Sequence, residues 1–207
     1  MTADSYQHPD AIVTTEWLAD HLDDPGLRIF ECTMKLVYEP GSPVRSINQR
    51  DAFDAGHIPG AGYFDLQADL SDNESSFRFT MPPPAALATI LAGRGVGDGT
   101  RVVLYSRDSL QWSTRVWWML RAIGFDNAAV LDGGWSTWIA EGRPISTEGC
   151  AYGPETLNVK PRPALFVGPD AVQAAINDTA VCTINALTPD IHSGENLRQS
   201  IEDRKST

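Results

Sequence analysis

Residues 100–125, TRVVLYSRDSLQWSTRVWWMLRAIGF, contain the pattern that decides the fold. Residues 100–106 are rich in apolar and β-branched side chains, which predicts a buried central strand. Residues 112–125 place apolar side chains at helical spacing, with Trp117, Leu120 and Gly124 in succession. A short polar loop, residues 106–111, joins the two segments. The stretch therefore predicts a strand, a loop and a helix.

The sequence on either side repeats this alternation. Residues 27–32 (LRIFEC) form a short apolar run that predicts a strand, and residues 84–92 follow prolines and precede glycines, which is typical of a helix. Residues 128–134 (AAVLDGG) predict a strand that enters a Gly-Gly turn, and residues 135–142 predict a short helix that ends at Gly142. Strands that alternate with helices indicate an α/β fold with a parallel sheet.

The composition excludes several classes of protein. With 42% hydrophobic and 21% charged residues, the chain can bury a core. A formal net charge of -11 disfavours nucleic acid and membrane surfaces as partners. The N-terminus is polar, and no run of about 18 apolar residues predicts a membrane span. Three widely spaced cysteines argue against a disulfide framework or a zinc site, so we expect a cytoplasmic protein without cofactor or metal.

A compositional change near residue 144 suggests a second domain. Residues 144–163 are rich in Pro, Gly and Ser/Thr, which predicts a linker. Beyond them the chain repeats its opening pattern, because residues 13–31 can be laid over residues 167–185 without a gap. Leu18 then falls on Val172, and Leu22 falls on Ile176. The repeat predicts a second helix-loop-strand unit, with Cys182 at the start of its strand.

Three motifs in order bring the chain close to a known family. Residues 51–61 (DAFDAGHIPGA) resemble the signature near the start of rhodanese domains, and residues 131–138 (LDGGWSTW) resemble the one near their end. Residues 102–125 are similar to the central strand, the active-site loop and the following helix of that family. The whole chain resembles the tandem sulfurtransferases that use thiosulfate or 3-mercaptopyruvate.

This resemblance implies a three-layer α/β domain with a parallel sheet and helices on both faces. It places a rhodanese-like domain at residues 13–143, a linker at 144–163 and the beginning of a second copy at 164–207. Within the motifs, we expect His57 to be a structural residue and Asp132, Gly133 and Gly134 to form a tight strand-to-helix turn. Of Trp112, Trp117 and Trp118, two should lie in the core.

The family's chemistry requires a cysteine that carries sulfur as a persulfide. The resemblance places that nucleophile after the central strand, at the position that Ser106 occupies here. Serine cannot hold a persulfide, so we expect no catalytic residue in this loop. The loop resembles the degenerate one of tandem sulfurtransferase first domains; its residues are Ser106, Arg107, Asp108, Ser109, Leu110 and Gln111.

If the repeat continued, the cysteine loop of the second copy would fall beyond residue 207. We therefore expect this chain to be a C-terminally truncated family member without activity of its own. The second copy also departs from the family pattern at Leu187, where an arginine is common, and at Ile191, so a substrate-binding role there is in doubt. A complete second domain would bind a small anionic sulfur donor. The incomplete one could bind a protein partner or self-associate.

Of two other functions considered from the sequence, one remains open. The chain could be a non-catalytic rhodanese-like binding or regulatory module, which the missing nucleophile would explain. A phosphatase of this fold would need a cysteine and an arginine in one loop, and the spacing from Ser106 to Arg115 does not supply them. Cys32 and Cys182 are expected to be inert strand residues, whereas Cys150 is expected to be exposed, without a basic cluster nearby.

Overall fold

The computed structural model describes residues 8–39, 42, 44–186 and 189–193. The chain divides into two compact units, one containing residues up to 34 together with 48–162, and the other containing residues 35–47 together with those from 163 onward. The strands are β1 (Ile12–Val13), β2 (Leu27–Glu31), β3 (Met34–Val37), β4 (Arg45–Asn48), β5 (Ala61–Tyr63), β6 (Arg101–Tyr105) and β7 (Ala128–Leu131). The α-helices are α1 (Thr15–Asp20), α2 (Arg50–Ala55), α3 (Pro84–Gly93), α4 (Gln111–Ala122), α5 (Gly134–Ala140), α6 (Pro169–Ala175) and α7 (Pro189–Ser193).

A parallel sheet forms the centre of the first unit. In the part of the chain that the structure describes, its five strands have the order β1–β7–β6–β2–β5, and all neighbouring pairs are parallel. In register, Ile29 of β2 lies opposite Val103 of β6 and Ala61 of β5. The predicted α/β fold with a parallel sheet is therefore confirmed.

Both faces of the sheet are covered. On one face, sheet residues such as Ile29 and Val103 pack in one buried cluster with Leu18 of α1, Phe53 of α2 and Trp138 of α5. Alternate residues of a strand point to the opposite face. There α4 packs against β6 and β7, and its inner side chains are almost fully buried. The fold thus has the three layers that the sequence predicts.

The predicted elements of the first unit form close to their expected bounds. The strands expected at 27–32 and 100–106 end one residue earlier, at Glu31 and Tyr105. The helix expected at 84–92 is α3, and the one expected after the loop is α4. In the described part of the chain, none of the helices combines the length and apolar character that crossing a bilayer requires.

The second unit contains all but one end residue of each of β3 and β4, which pair with each other, and the helices α6 and α7. The helix predicted by the internal repeat forms as α6, but the strand expected to begin at Cys182 is wrong, because residues 181–186 adopt no strand. A strand requires a hydrogen-bonded neighbour, and within the described residues none lies beside this segment. Leu187, where the family pattern has an arginine, lies outside the described residues.

The segment predicted as a linker follows the surface of the first unit. We call residues 144–162 the strap. The Lys160 N–H donates to the Ile123 carbonyl (2.8 Å), and the Glu155 N–H donates to the Ala92 carbonyl (2.9 Å). The Tyr152 hydroxyl donates to the Gly60 carbonyl at 2.6 Å. These contacts bind the strap to the last turn of α3, to the residue after α4 and to the residue before β5. The domain bounds drawn from the sequence stay a prediction.

Gly124 is one of the glycines against which the strap packs closely. Gly124 has a φ of 92°, and a Cβ added there would collide with the Lys160 carbonyl oxygen. We expect Gly124→Ala to lower the free energy of unfolding by about 2 kcal/mol or more, because both the backbone and the contact resist a side chain. Urea denaturation measures this change.

Gly99→Ala is the matched control, because an added Cβ meets no atom within 4 Å there. We expect its free energy of unfolding to stay within about 1 kcal/mol of the parent chain. Equal stability of the two variants would show that the strap does not lie against Gly124 in solution.

Candidate functional site

The loop of residues 106–111 leaves the sheet at the carboxyl end of β6 and enters α4. Its first residue, Ser106, is buried, with 2% of its surface exposed. The Ser106 Oγ accepts a hydrogen bond from the Ser113 N–H at 3.0 Å, and the Ser106 carbonyl accepts one from the Trp135 N–H at 3.0 Å. Ser106 therefore connects β6 to the first turns of α4 and α5, and its hydroxyl does not face solvent as a nucleophile would.

The turn before α5 packs directly on this residue. Gly133 and Gly134 have φ values of 69° and 54°, in the left-handed region that favours glycine. A Cβ added at Gly134 would collide with the Ser106 carbonyl oxygen. The Asp132-Gly133-Gly134 segment is thus the tight strand-to-helix turn that the sequence predicts, and it keeps α5 close to the loop.

Arg107 turns its side chain inward, under the loop. Its Nε donates to the Oε1 of Glu31 at 2.6 Å and its Nη2 to the Oε2 at 3.1 Å, which makes the pair bidentate. The same Nη2 donates to the Gly56 carbonyl at 2.5 Å. The guanidinium group also lies 4.4 Å from the centre of the Trp135 ring. Its positive charge is therefore directed into the protein.

The acid in this pair is fully buried. Glu31, the last residue of β2, has 0% of its surface exposed, and the Thr33 hydroxyl donates to its Oε1 at 3.0 Å. The Thr33 hydroxyl oxygen in turn accepts the Arg107 N–H at 3.1 Å. Burial, and then the nearby Glu31 carboxylate, raise the pKa of Tyr105 well above its ordinary value. Tyr105 is therefore a neutral hydroxyl.

The outer part of the loop offers little chemistry. Asp108 and Gln111 are exposed, and Leu110 is 44% exposed. Ser109 accepts the Gln111 N–H through its Oγ at 3.4 Å. Arg107, the basic side chain of the loop, is paired with Glu31. An anionic donor that approached the exposed part of the loop would therefore meet the acidic Asp108 and the apolar Leu110.

His57 is structural, as the sequence predicts. It is fully buried, with Nδ1 2.8 Å from the Phe53 carbonyl oxygen and Nε2 3.0 Å from the Glu148 carbonyl oxygen. Its backbone also pairs with Ser146 of the strap. Of the tryptophans, Trp112 is buried and Trp117 is half-buried, with its indole N–H donating to the Ala128 carbonyl. These residues position the fold, and both ring nitrogens of His57 lie against backbone carbonyl groups.

The three cysteines differ in environment. Burial, and then the charge of Glu31, raise the pKa of the Cys32 thiol well above its ordinary value, so this thiol stays protonated and unreactive. Cys182 is exposed. For Cys150 the sequence-based expectation was wrong: it is partly buried and lines a cavity with Arg50 and Arg94, which the fold brings together from distant positions. Across the described residues, no group of acids, histidines and cysteines could hold a metal ion.

The sequence did not reveal the pairing of Glu31 with Arg107. The available signal was the position of Glu31, an acid at the end of an otherwise apolar strand. A buried acid requires a partner, but pairing it with Arg107 required knowing that β2 and β6 are neighbours.

Comparison with known proteins agrees with this geometry. The model of the family described as "Rhodanese-like domain" matches residues 14–141. The thiosulfate sulfurtransferase of Cricetulus griseus is 32% identical over 75% of this chain and 49% of its own length. The 3-mercaptopyruvate sulfurtransferase of Escherichia coli K12 is 34% identical over 70% of this chain and 53% of its own.

A solved structure shows the same fold. The crystal structure of SseA from Escherichia coli, a 3-mercaptopyruvate sulfotransferase with the rhodanese fold, superposes with a TM-score of 0.68 at 30% identity. It covers 80% of this chain, and the match spans 61% of SseA. The chain spans about half the length of the curated relatives it matches.

Removing the arginine should leave a buried charge without a partner. We expect Arg107→Met to lower the free energy of unfolding by about 3–5 kcal/mol, because the Glu31 carboxylate cannot be solvated where it lies. Adding Glu31→Gln to Arg107→Met should recover part of this loss. Urea denaturation of the two variants measures both changes.

The matched control is Arg50→Met, which breaks an exposed pair with Asp54 whose two side chains are each 54% exposed. We expect a change within about 1 kcal/mol. If Arg107→Met were no more harmful than Arg50→Met, the inward position of Arg107 would be contradicted.

Proposed function

Because this chain belongs to the rhodanese-like domain family, we propose that it forms the non-catalytic first half of a tandem sulfurtransferase. Its named relatives include thiosulfate sulfurtransferases and a 3-mercaptopyruvate sulfurtransferase. In the proposed enzyme, a cysteine thiolate of the second domain attacks the transferable sulfur of the donor. The bond from that sulfur to the rest of the donor breaks, which releases sulfite from thiosulfate or pyruvate from 3-mercaptopyruvate and leaves the sulfur on the cysteine as a persulfide. A thiophilic acceptor then removes the sulfur. The present chain supplies the supporting domain.

The observation that carries this proposal is the burial of Ser106. A persulfide-forming residue must expose its sulfur to donor and acceptor, and must be held as an anion by nearby positive charge or N–H groups. Here the residue at that position is a buried hydroxyl that accepts the Ser113 N–H, and Arg107 pairs with Glu31. The loop therefore supports the fold, and the nucleophile is expected elsewhere in the complete enzyme.

The binding-module alternative is favoured by one specific feature. Beside the loop lies an apolar cavity of about 250 Å³, whose lining includes Leu110, Trp117 and Val130. A half-exposed leucine at such a cavity could contact an apolar side chain of a protein partner. The phosphatase alternative gains no support, because the Arg115 guanidinium donates to the Phe79 carbonyl at 2.6 Å.

The proposed donor is a small anion, held by the second domain. A protein partner or self-association through the second unit also stays a proposal. It is supported by exposed apolar side chains in that unit, where nearly half of the surface of Val172 and of Val181 is exposed. Nucleic acid and membranes are poor partners on charge alone. A cytoplasmic location also stays a prediction.

A chimera tests the proposed role. The present chain replaces the matching first half of the Escherichia coli 3-mercaptopyruvate sulfurtransferase, which keeps its own second half. We expect the chimera to transfer sulfur from 3-mercaptopyruvate to cyanide and to lose this activity on alkylation. The present chain alone should form no thiocyanate above background.

The second half of the Escherichia coli enzyme, expressed alone, is the control for activity that does not need this chain. A chimera that folds cooperatively but is no more active than that half would favour the binding module. Thiocyanate production by the present chain alone would contradict both proposals.

A further inference from the structure

A cavity of about 290 Å³ lies beside β5, the edge strand of the sheet, away from the loop of residues 106–111. β5, the last turn of α3 and the strap all contribute to its lining. Gly62 and Gly93 line it without side chains, which leaves the space open. Its volume is at the lower end of the range for small-molecule sites. A ligand of about one aromatic ring therefore suits it.

The walls of this cavity are aromatic. Phe30 and Tyr152 meet edge to face, with ring centres 5.5 Å apart, and Phe53 and Tyr63 are also 5.5 Å apart. Phe30 is held from behind by stacking on Phe64. One face of the Phe53 ring is likewise stacked on His57. Rings held in place by their neighbours can contact a ligand without the cost of ordering a mobile side chain.

Both tyrosine hydroxyls in the walls are hydrogen-bonded to backbone groups. The Tyr63 hydroxyl donates to the Thr33 carbonyl at 2.6 Å, and the Tyr152 hydroxyl donates to Gly60 and accepts the Ile29 N–H. Burial, the largest cause in each case, raises the pKa of both phenols, that of Tyr152 to about 12. The two tyrosine side chains in the walls are therefore neutral.

Positive charge lies at the same cavity. Arg50 donates through Nε to Asp54, and its guanidinium carbon lies 5.5 Å from the centre of the Phe53 ring. Arg94 donates to the Tyr63 carbonyl and to Asp69. Each guanidinium is thus partly balanced by one carboxylate, which favours a ligand with a single negative charge over a multiply charged phosphate.

We propose that this cavity is a binding site for a small aromatic carboxylate, whose ring lies between the aromatic walls and whose carboxylate pairs with Arg50 and Arg94. The planar guanidinium group matches the geometry of a carboxylate. None of its residues belongs to the loop of residues 106–111, so the inference does not rest on the proposed function.

Cys150 lines the same cavity and reports its occupancy. The probes are benzoate, benzyl alcohol and benzylamine, which share a ring and differ in charge. We expect benzoate, with a Kd on the order of millimolar, to slow alkylation of Cys150 by iodoacetamide about fivefold or more at saturation. Benzyl alcohol and benzylamine should slow it much less. Peptide mass spectrometry follows Cys150 and Cys182 in the same sample, and Cys182 should be unaffected.

Two variants locate the effect. Gly93→Leu places a side chain in the cavity at a position where an added Cβ meets no atom within 4 Å, and it should abolish protection by benzoate. Gly99→Leu has equally open surroundings but does not line the cavity, and should keep protection. Arg50→Gln should weaken the apparent affinity for benzoate roughly threefold to fivefold, whereas Arg143→Gln, outside the cavity, should not.

The proposal is overturned if benzoate leaves the alkylation of Cys150 unchanged, or if all three probes slow it equally. It is also overturned if Cys182 is slowed as strongly as Cys150, or if the folded Gly93→Leu variant remains protected. Protection by benzoate that Gly93→Leu removes and Gly99→Leu retains would establish the site.

Discussion

The bidentate pair between Glu31 and Arg107 determines how the carboxyl end of the sheet is arranged. It joins the ends of β2 and β6, and through Arg107 it also reaches the Gly56 carbonyl and the Trp135 ring. A buried carboxylate is tolerated only when its charge is paired and its oxygens are hydrogen-bonded, and this network meets both conditions. The direction of Arg107, and hence the chemistry of the loop, follows from it.

In family members that carry out sulfur transfer, the loop after the central strand must present a cysteine and stabilise its anion. The present loop has the same position in the fold, but its first side chain is buried and its basic group is directed inward. In this loop, a serine at the nucleophile position therefore occurs together with a basic group that is paired inside the protein. This is consistent with a domain whose role is to support a second one, and the strap further stabilises that domain.

Much of the fold could be predicted from sequence, because its determinants are local. The apolar run at residues 100–106 and the Gly-Gly turn before α5 indicated the strands and helices of residues 100–140 in the correct order. The short strands β3, β4 and β5 were not predicted. The expected strand at Cys182 was wrong because a strand depends on a neighbour that the local sequence cannot supply. The Glu31 pair and the cavity at Cys150 were missed for the same reason, since each joins residues from distant parts of the chain.

The measurement that tests this account most directly is the reaction of a Ser106→Cys variant with thiosulfate, followed by intact mass spectrometry. Ser106 is buried and receives the Ser113 N–H, and Arg107 is paired with Glu31. A thiol introduced there should therefore gain no sulfur atom, and the variant should produce no more thiocyanate than the parent chain. A persulfide on the introduced thiol, with cyanide-dependent turnover, would contradict the conclusion that this loop is structural.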